Sequence, residues 1–318
     1  MRTPLSILGA LALALAASTV QAWPTKPVRM LITFPPGGPS ELLTRLVNEK
    51  LQQSLGQPFV VENRAGAGGN VGADVVTKSA PDGHLFGITT DTLFTVNPLV
   101  YGRMPFDPWK DLVPVTLLGS FSQMMVCNPS VPAKDLGELV ALAKRERVTY
   151  ASGGAGVPGH LAAELLLSMT GASMVHVPYK GPAAAAADVA GGQVQCGFLA
   201  TPTVMPLVGS GRLKALAVST TRRSPLAPGV PTAAEAGAPG FDAPFYLVLF
   251  ARSGTPEPVV ATMSRAVTDA LASPDIRERA AKADIEALGG TPQDAARLLR
   301  AAGDKWAPVV RRIGLKLE

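Results

Sequence analysis

Short apolar runs rich in Val, Ile, Leu and Phe alternate along this chain with amphipathic segments of helical period, and Gly- or Pro-rich turns separate them. A chain punctuated this way has to bury each strand against helices, which dictates an α/β fold with mainly parallel sheets. Strands are expected at 28–34, 59–61, 85–89, 113–118, 123–127, 148–151, 174–177, 194–199, 213–218 and 245–250. Helices are expected at 40–55, 72–79, 134–144, 161–169, 183–190, 256–272, 274–283 and 292–313. On the first helix Leu42, Leu43, Leu46, Val47 and Leu51 fall on one face. Leu161, Leu165, Leu166 and Met169 are the inward residues expected of helix 161–169. At 318 residues the chain exceeds the size, about 250–300 residues, at which single cores divide. Two lobes follow: a discontinuous one from 23–120 and 221–318, and a second from 121–220 inserted within it. Two crossings between lobes make a hinge, with a cleft between the lobes.

The first 22 residues read as a separate object. Arg2 gives a positive start, residues 5–17 are apolar, and Val20-Gln21-Ala22 is a small-residue cleavage site, so a signal peptide removed after Ala22 is expected. The apolar run is shorter than the roughly 20 residues a membrane span needs. An exported, periplasmic protein is therefore expected. Formal net charge is +5 without an uninterrupted basic run, which excludes a nucleic-acid binder and suits an anionic ligand. Cys127 and Cys196 each lie in an apolar strand-like segment. Export permits a disulfide, but two buried free thiols are the expectation. No Cys, His and carboxylate cluster has metal-ligand spacing, so neither metal nor cofactor is expected.

Two segments share one design of strand, Gly-rich turn and helix start. The first carries Phe34, Pro36, Gly37, Gly38, Ser40 and Glu41, and the second Ser152, Gly153, Gly154, Ala155, Gly156 and His160. Glycine admits a ligand close to the backbone, and a helix start offers unpaired N–H donors with partial positive charge. One such loop on each lobe would grip a carboxylate across a cleft. Gly154, Gly156 and Gly159 match a dinucleotide fingerprint, but the next strand-like segment ends in Val177-Pro178-Tyr179 without the acid that reads a ribose. Asp91 and Thr201 follow strands and are expected as outer contacts, while His176, flanked by Val175 and Val177, reads as structural. No nucleophile–base pair or Gly-x-Ser-x-Gly elbow is present, so no enzyme is expected.

At these loops the sequence resembles the Bug receptors, the substrate-binding proteins of tripartite tricarboxylate transporters. The likeness runs through the whole mature chain. It is carried by residues 34–38, by Glu62-Asn63-Arg64-Ala65-Gly66-Ala67-Gly68-Gly69, by Ala80-Pro81-Asp82-Gly83, by His176-Val177-Pro178-Tyr179-Lys180-Gly181 and by Pro231-Thr232-Ala233-Ala234-Glu235-Ala236-Gly237. The resemblance implies a type II periplasmic binding protein fold that captures a small mono- or dicarboxylate through loop amides and ordered water. It implies a membrane permease as partner, or a sensor kinase to which the ligand is presented, and a monomeric receptor. The sequence departs from the family pattern at Pro39-Ser40-Glu41, at Val157-Pro158 and at Leu199-Ala200-Thr201. These departures point to a pocket less polar at its far end, suited to an aromatic or partly apolar acid.

Overall fold

The computed structural model describes residues 23–317, and the leader expected over residues 1–22 lies outside them. The chain opens with β1 (Val28–Ile32), α1 (Pro39–Leu55), β2 (Phe59–Asn63), α2 (Asn70–Thr77) and β3 (Leu85–Thr90). Three one-turn helices lead to β4 (Leu112–Phe121), and a single residue, Ser122, joins β4 to β5 (Gln123–Cys127). There follow α3 (Leu136–Ala143), β6 (Val148–Ser152), α4 (Pro158–Thr170), β7 (Met174–Pro178), α5 (Pro182–Ala190), β8 (Cys196–Ala200), α6 (Thr201–Gly209) and β9 (Lys214–Val218). After a long return, β10 (Phe245–Arg252), α7 (Glu257–Ala272), α8 (Pro274–Ala281), β11 (Ile285–Gly289) and α9 (Pro292–Ile313) complete the chain.

The strands form two sheets, one ordered β11-β4-β10-β3-β1-β2 and the other β7-β6-β8-β5-β9. Within the parallel core β1 lies between β2 and β3, and β6 lies between β7 and β8. The expectation of mainly parallel sheets holds only for these cores. β10 runs antiparallel to β3 and β4, β11 to β4, and β5 to β8 and β9. The reason is directional: β5 and β10 enter their sheets from the crossings, whereas β1, β3, β4, β6 and β8 run toward them. The carboxyl ends of the core strands of both sheets thus collect at one seam, where an open α/β sheet places its ligands.

Each sheet is covered by helices whose apolar stripe faces inward. Leu43, Leu46, Val47 and Leu51 of α1 are buried, as are Leu161, Leu165 and Leu166 of α4. Two assignments are corrected. Leu42 and Met169 are each 38% exposed. Leu42 sits one step, about 100°, around the helix from Leu43, and Met169 falls in the last turn, before the Gly171 cap. The sequence reading also missed β11, a short edge strand interrupted by Glu286, and α6, whose Pro202 and Pro206 read as turn signals. Pro202 instead occupies the first helical turn, where a missing N–H costs nothing.

Cys127 and Cys196 are not free thiols. They face each other in the β5–β8 register and form a disulfide with both residues fully buried. Sequence separation hid the pairing; antiparallel strand register created it. At the crossings a polar cluster ties the lobes. Ser122 and Ser224 each donate to Asp284, at 2.7 and 2.6 Å, and Thr201 Oγ1 lies 2.5 Å from Ser122 Oγ.

Candidate carboxylate site at the seam between two sheets

The first loop leaves β1 through buried Thr33, whose hydroxyl donates to Thr89 at 3.0 Å. Asn63 donates to the Phe34 carbonyl at 2.9 Å and fixes the loop's start. Gly37 takes φ +86°, a conformation glycine adopts without strain. Its N–H does not point to a ligand, because it donates to Glu41 Oε2 at 2.8 Å. Glu41 in turn accepts from Arg45 at 2.9 and 2.6 Å. The Arg45 guanidinium holds the Glu41 carboxyl below the usual carboxylate range, with the Gly37 amide adding to the effect. This expected ligand contact therefore braces its own loop with its charge already paired. Helix α1 begins on Gly38 with Pro39 in its first turn and no side-chain cap. Among the described residues the amides of Gly38, Ser40 and Glu41 have no protein acceptor.

The second loop is built the same way. Gly154 N–H donates to Ser152 Oγ at 3.2 Å, and Gly156 N–H donates to His160 Nδ1 at 2.9 Å. Two amides expected to hold a ligand are thus engaged within the protein. His160 stacks on His176 with ring centroids 3.9 Å apart, and His176 Nε2 lies 2.7 Å from Ser152 Oγ. His176 is structural, as expected: with His160 it fixes both ends of the loop. Tyr150 extends the stack and donates to Glu164 at 2.7 Å. Helix α4 starts at Pro158 without a side-chain cap, and the amides of Gly153, Gly159 and His160 have no acceptor among the described residues.

These two uncapped helix starts face one partly open cavity. The first lobe contributes Phe34, Pro35, Gly38, Pro39, Ser40, Thr90 and Phe121. Gln123, Gly153, Val157, Pro158, Gly159, Pro182, Leu199 and Ala200 complete the wall, and no residue in it is charged. Of the residues expected from the sequence, Phe34, Gly38, Ser40 and Gly153 reach this wall. Pro36 and Gly37 are exposed, and Glu41, Ser152, Gly154, Ala155, Gly156 and His160 do not line the cavity. Thr201 is held in the Ser122–Asp284 cluster. Asp91 is fully buried at the end of β3, accepts from the Tyr246 amide at 3.1 Å and leaves Oδ2 without a partner. The wall residues the sequence reading missed, Gln123, Thr90 and Phe121, sit at strand ends, and only the strand order shows that those ends converge.

Burial pushes the imidazoles down, His160 to about 3 with His176 adding to the effect, and His176 to about 4. Both are therefore neutral near pH 7, as the Gly156 bond to Nδ1 requires. Burial pushes Asp91 the other way, up to about 7. The two effects oppose each other in stability. Below an unfolded-state value of 6.5 the unfolded chain binds more protons at His160 and His176, so stability falls as pH drops toward 4. Asp91 gives the opposite slope: from 3.8 to 7 the folded state binds the extra proton, and stability falls as pH rises. Asp91→Asn removes that counter-slope. In urea titrations its unfolding free energy should decline monotonically with acidification, with His160 alone contributing up to ~1.4 kcal/mol per pH unit and the more exposed His176 less. A flat profile between pH 6.5 and 4 would show that the imidazoles gain protons without disturbing the loop.

The sequence profile of the family described as the tripartite tricarboxylate transporter family receptor matches residues 43–315. The chain belongs to this receptor family. Its members are substrate-binding proteins, not enzymes. Among its relatives the receptor is 36% identical to Protein BugT of Bordetella pertussis over 310 residues, covering 95% of this chain and 94% of that one. An R. palustris protein solved with adipate superposes with a TM-score of 0.89 at 34% identity, covering 92% of this receptor and 99% of that chain. MatC from Rhodopseudomonas palustris, with bound malate, gives 0.84 at 30% identity over 91% of this receptor and all, 100%, of that chain. The two-lobe periplasmic binding protein fold is common to them.

Proposed function

We propose that this receptor captures a small organic acid in the periplasm for a tripartite tricarboxylate-type transporter, whose membrane permease subunits are its partners. The observation that carries the reading is the meeting of two uncapped helix starts, α1 and α4, on one cavity with an uncharged wall. Helices of 17 and 13 residues bring partial positive charge to the same place from opposite sides. A carboxylate set there accepts from Gly38, Ser40, Gly153 and Gly159; the wall itself carries no acid, and Glu41 behind Ser40 has its charge paired with Arg45. The loops behind it are braced by Glu41 on one side and His160 on the other, so the donors are positioned before the ligand arrives. The adipate and malate bound by solved relatives support the ligand class. In this reading the leader ends at Ala22, the lobes are 23–120 with 221–318 and 121–220, and closure over the acid creates the form the permease engages.

Thermal unfolding of the mature chain in a panel of organic acids tests this. An acid present at about 100 times its dissociation constant should add roughly 2.7 kcal/mol. Gly38→Pro deletes one donor from the N-cap of α1, where the backbone is already extended at φ −101°. It should reduce affinity at least tenfold while leaving the unliganded midpoint nearly unchanged. Equal protection of the variant and the parent chain would remove the α1 start from the binding site.

A further inference from the structure

We infer that the ligand is a monocarboxylate with an apolar body, and that a second carboxylate is selected against. This rests on the reading that the cavity takes a carboxylate, and it deepens it. The cavity offers one place where a negative group is satisfied, the junction of the α1 and α4 starts. Beside the two loops' amides the wall carries the apolar side chains of Phe34, Phe121, Val157, Pro182 and Leu199, with Val157 at the start of α4 and Pro182 against Gly38 and Gly153. No Lys, Arg or His side chain enters the wall. His160, in the first turn of α4, is neutral, and its Nδ1 already accepts the Gly156 amide.

Three polar side chains line the space; Thr90 is bonded to Thr92 at 2.7 Å, which leaves Ser40 and Gln123. Ser40 and Gln123 are 5% and 2% exposed, and neither hydroxyl nor side-chain amide has a protein partner among the described residues. Both are uncharged. They complete the coordination of one carboxylate, or of one neutral hydroxyl or carbonyl, without the charge needed to offset a second anion. A buried charge without a counter-charge or full hydrogen bonding is strongly disfavoured, whereas methylene or aryl surface gains by leaving water. Phe34 and Phe121 reach the wall from one lobe, and Leu199 and Val157 from the other. Closure over an apolar body therefore buries matching surfaces.

Two matched pairs isolate the second carboxylate. Hexanoate and adipate share a carbon chain and differ only in their far end; benzoate and terephthalate do the same for a ring. Calorimetric titration of the mature full-length chain at neutral pH should find hexanoate at least tenfold tighter than adipate, and benzoate at least tenfold tighter than terephthalate. If adipate or terephthalate binds as tightly as its partner, the inference is overturned while the carboxylate-receptor reading stands. If none of the four binds, both are overturned.

Discussion

The Cys127→Ala, Cys196→Ala chain is expected to lose about 4 kcal/mol of stability. The bond closes a loop with a sequence separation of 69 residues, and the chain-entropy relation assigns about 4 kcal/mol to a loop of that size. The replacement itself adds little cost, because both residues are buried between β5 and β8, whose ladder hydrogen bonds remain. Urea titration of the oxidised parent and the double variant measures the difference directly. The midpoint should fall and the slope should rise, because the unfolded chain without the cross-link exposes more surface, and ligand affinity of the folded chain should persist, because neither sulfur lies in the cavity wall. A loss below about 1 kcal/mol would mean that the unfolded chain is already constrained in this region.

Gly159→Ala should have the larger effect on binding. A methyl group built at Gly159 would lie 2.0 Å from the Phe198 carbonyl oxygen. That neighbour is backbone, so no side-chain rotation relieves the overlap, and the first turn of α4 has to move off β8. Overpacking of this kind costs typically about 1–3 kcal/mol. The displaced turn also carries the unpaired Gly159 and His160 amides away from the cavity, so affinity for any acid should fall more than tenfold. Gly209→Ala provides the control, since a methyl there meets nothing within 4 Å. Thermal unfolding with and without ligand separates the two losses. Unchanged affinity in the Gly159 variant would show that the α4 start does not hold the carboxylate.

Local patterns carried much of the architecture. Alternating strand and helix segments, with Pro at the start of α1, α4, α5, α8 and α9, placed most elements within a few residues. The motif around Phe34 to Glu41 and the motif around Ser152 to His160 were legible because glycines and a helix start leave a signature in the chain itself. What escaped was set by register and by distance. The disulfide depends on Cys127 standing opposite Cys196 across two antiparallel strands. Glu41, Ser152 and His160 take the amides of Gly37, Gly154 and Gly156, and only side-chain positions reveal it.

The sequence alone determined an α/β chain in which two Gly-rich turns lead from strands into Pro-opened helices. That much follows from periodicity and from the residues that turns and caps require. Tertiary structure decided which amides remain free, which strand ends meet, and that the shared wall is apolar and uncharged. Those properties arise between residues far apart in the chain, such as Phe121 and Leu199 in one cavity wall and Gln123 beside Gly159, and no local pattern encodes such a meeting.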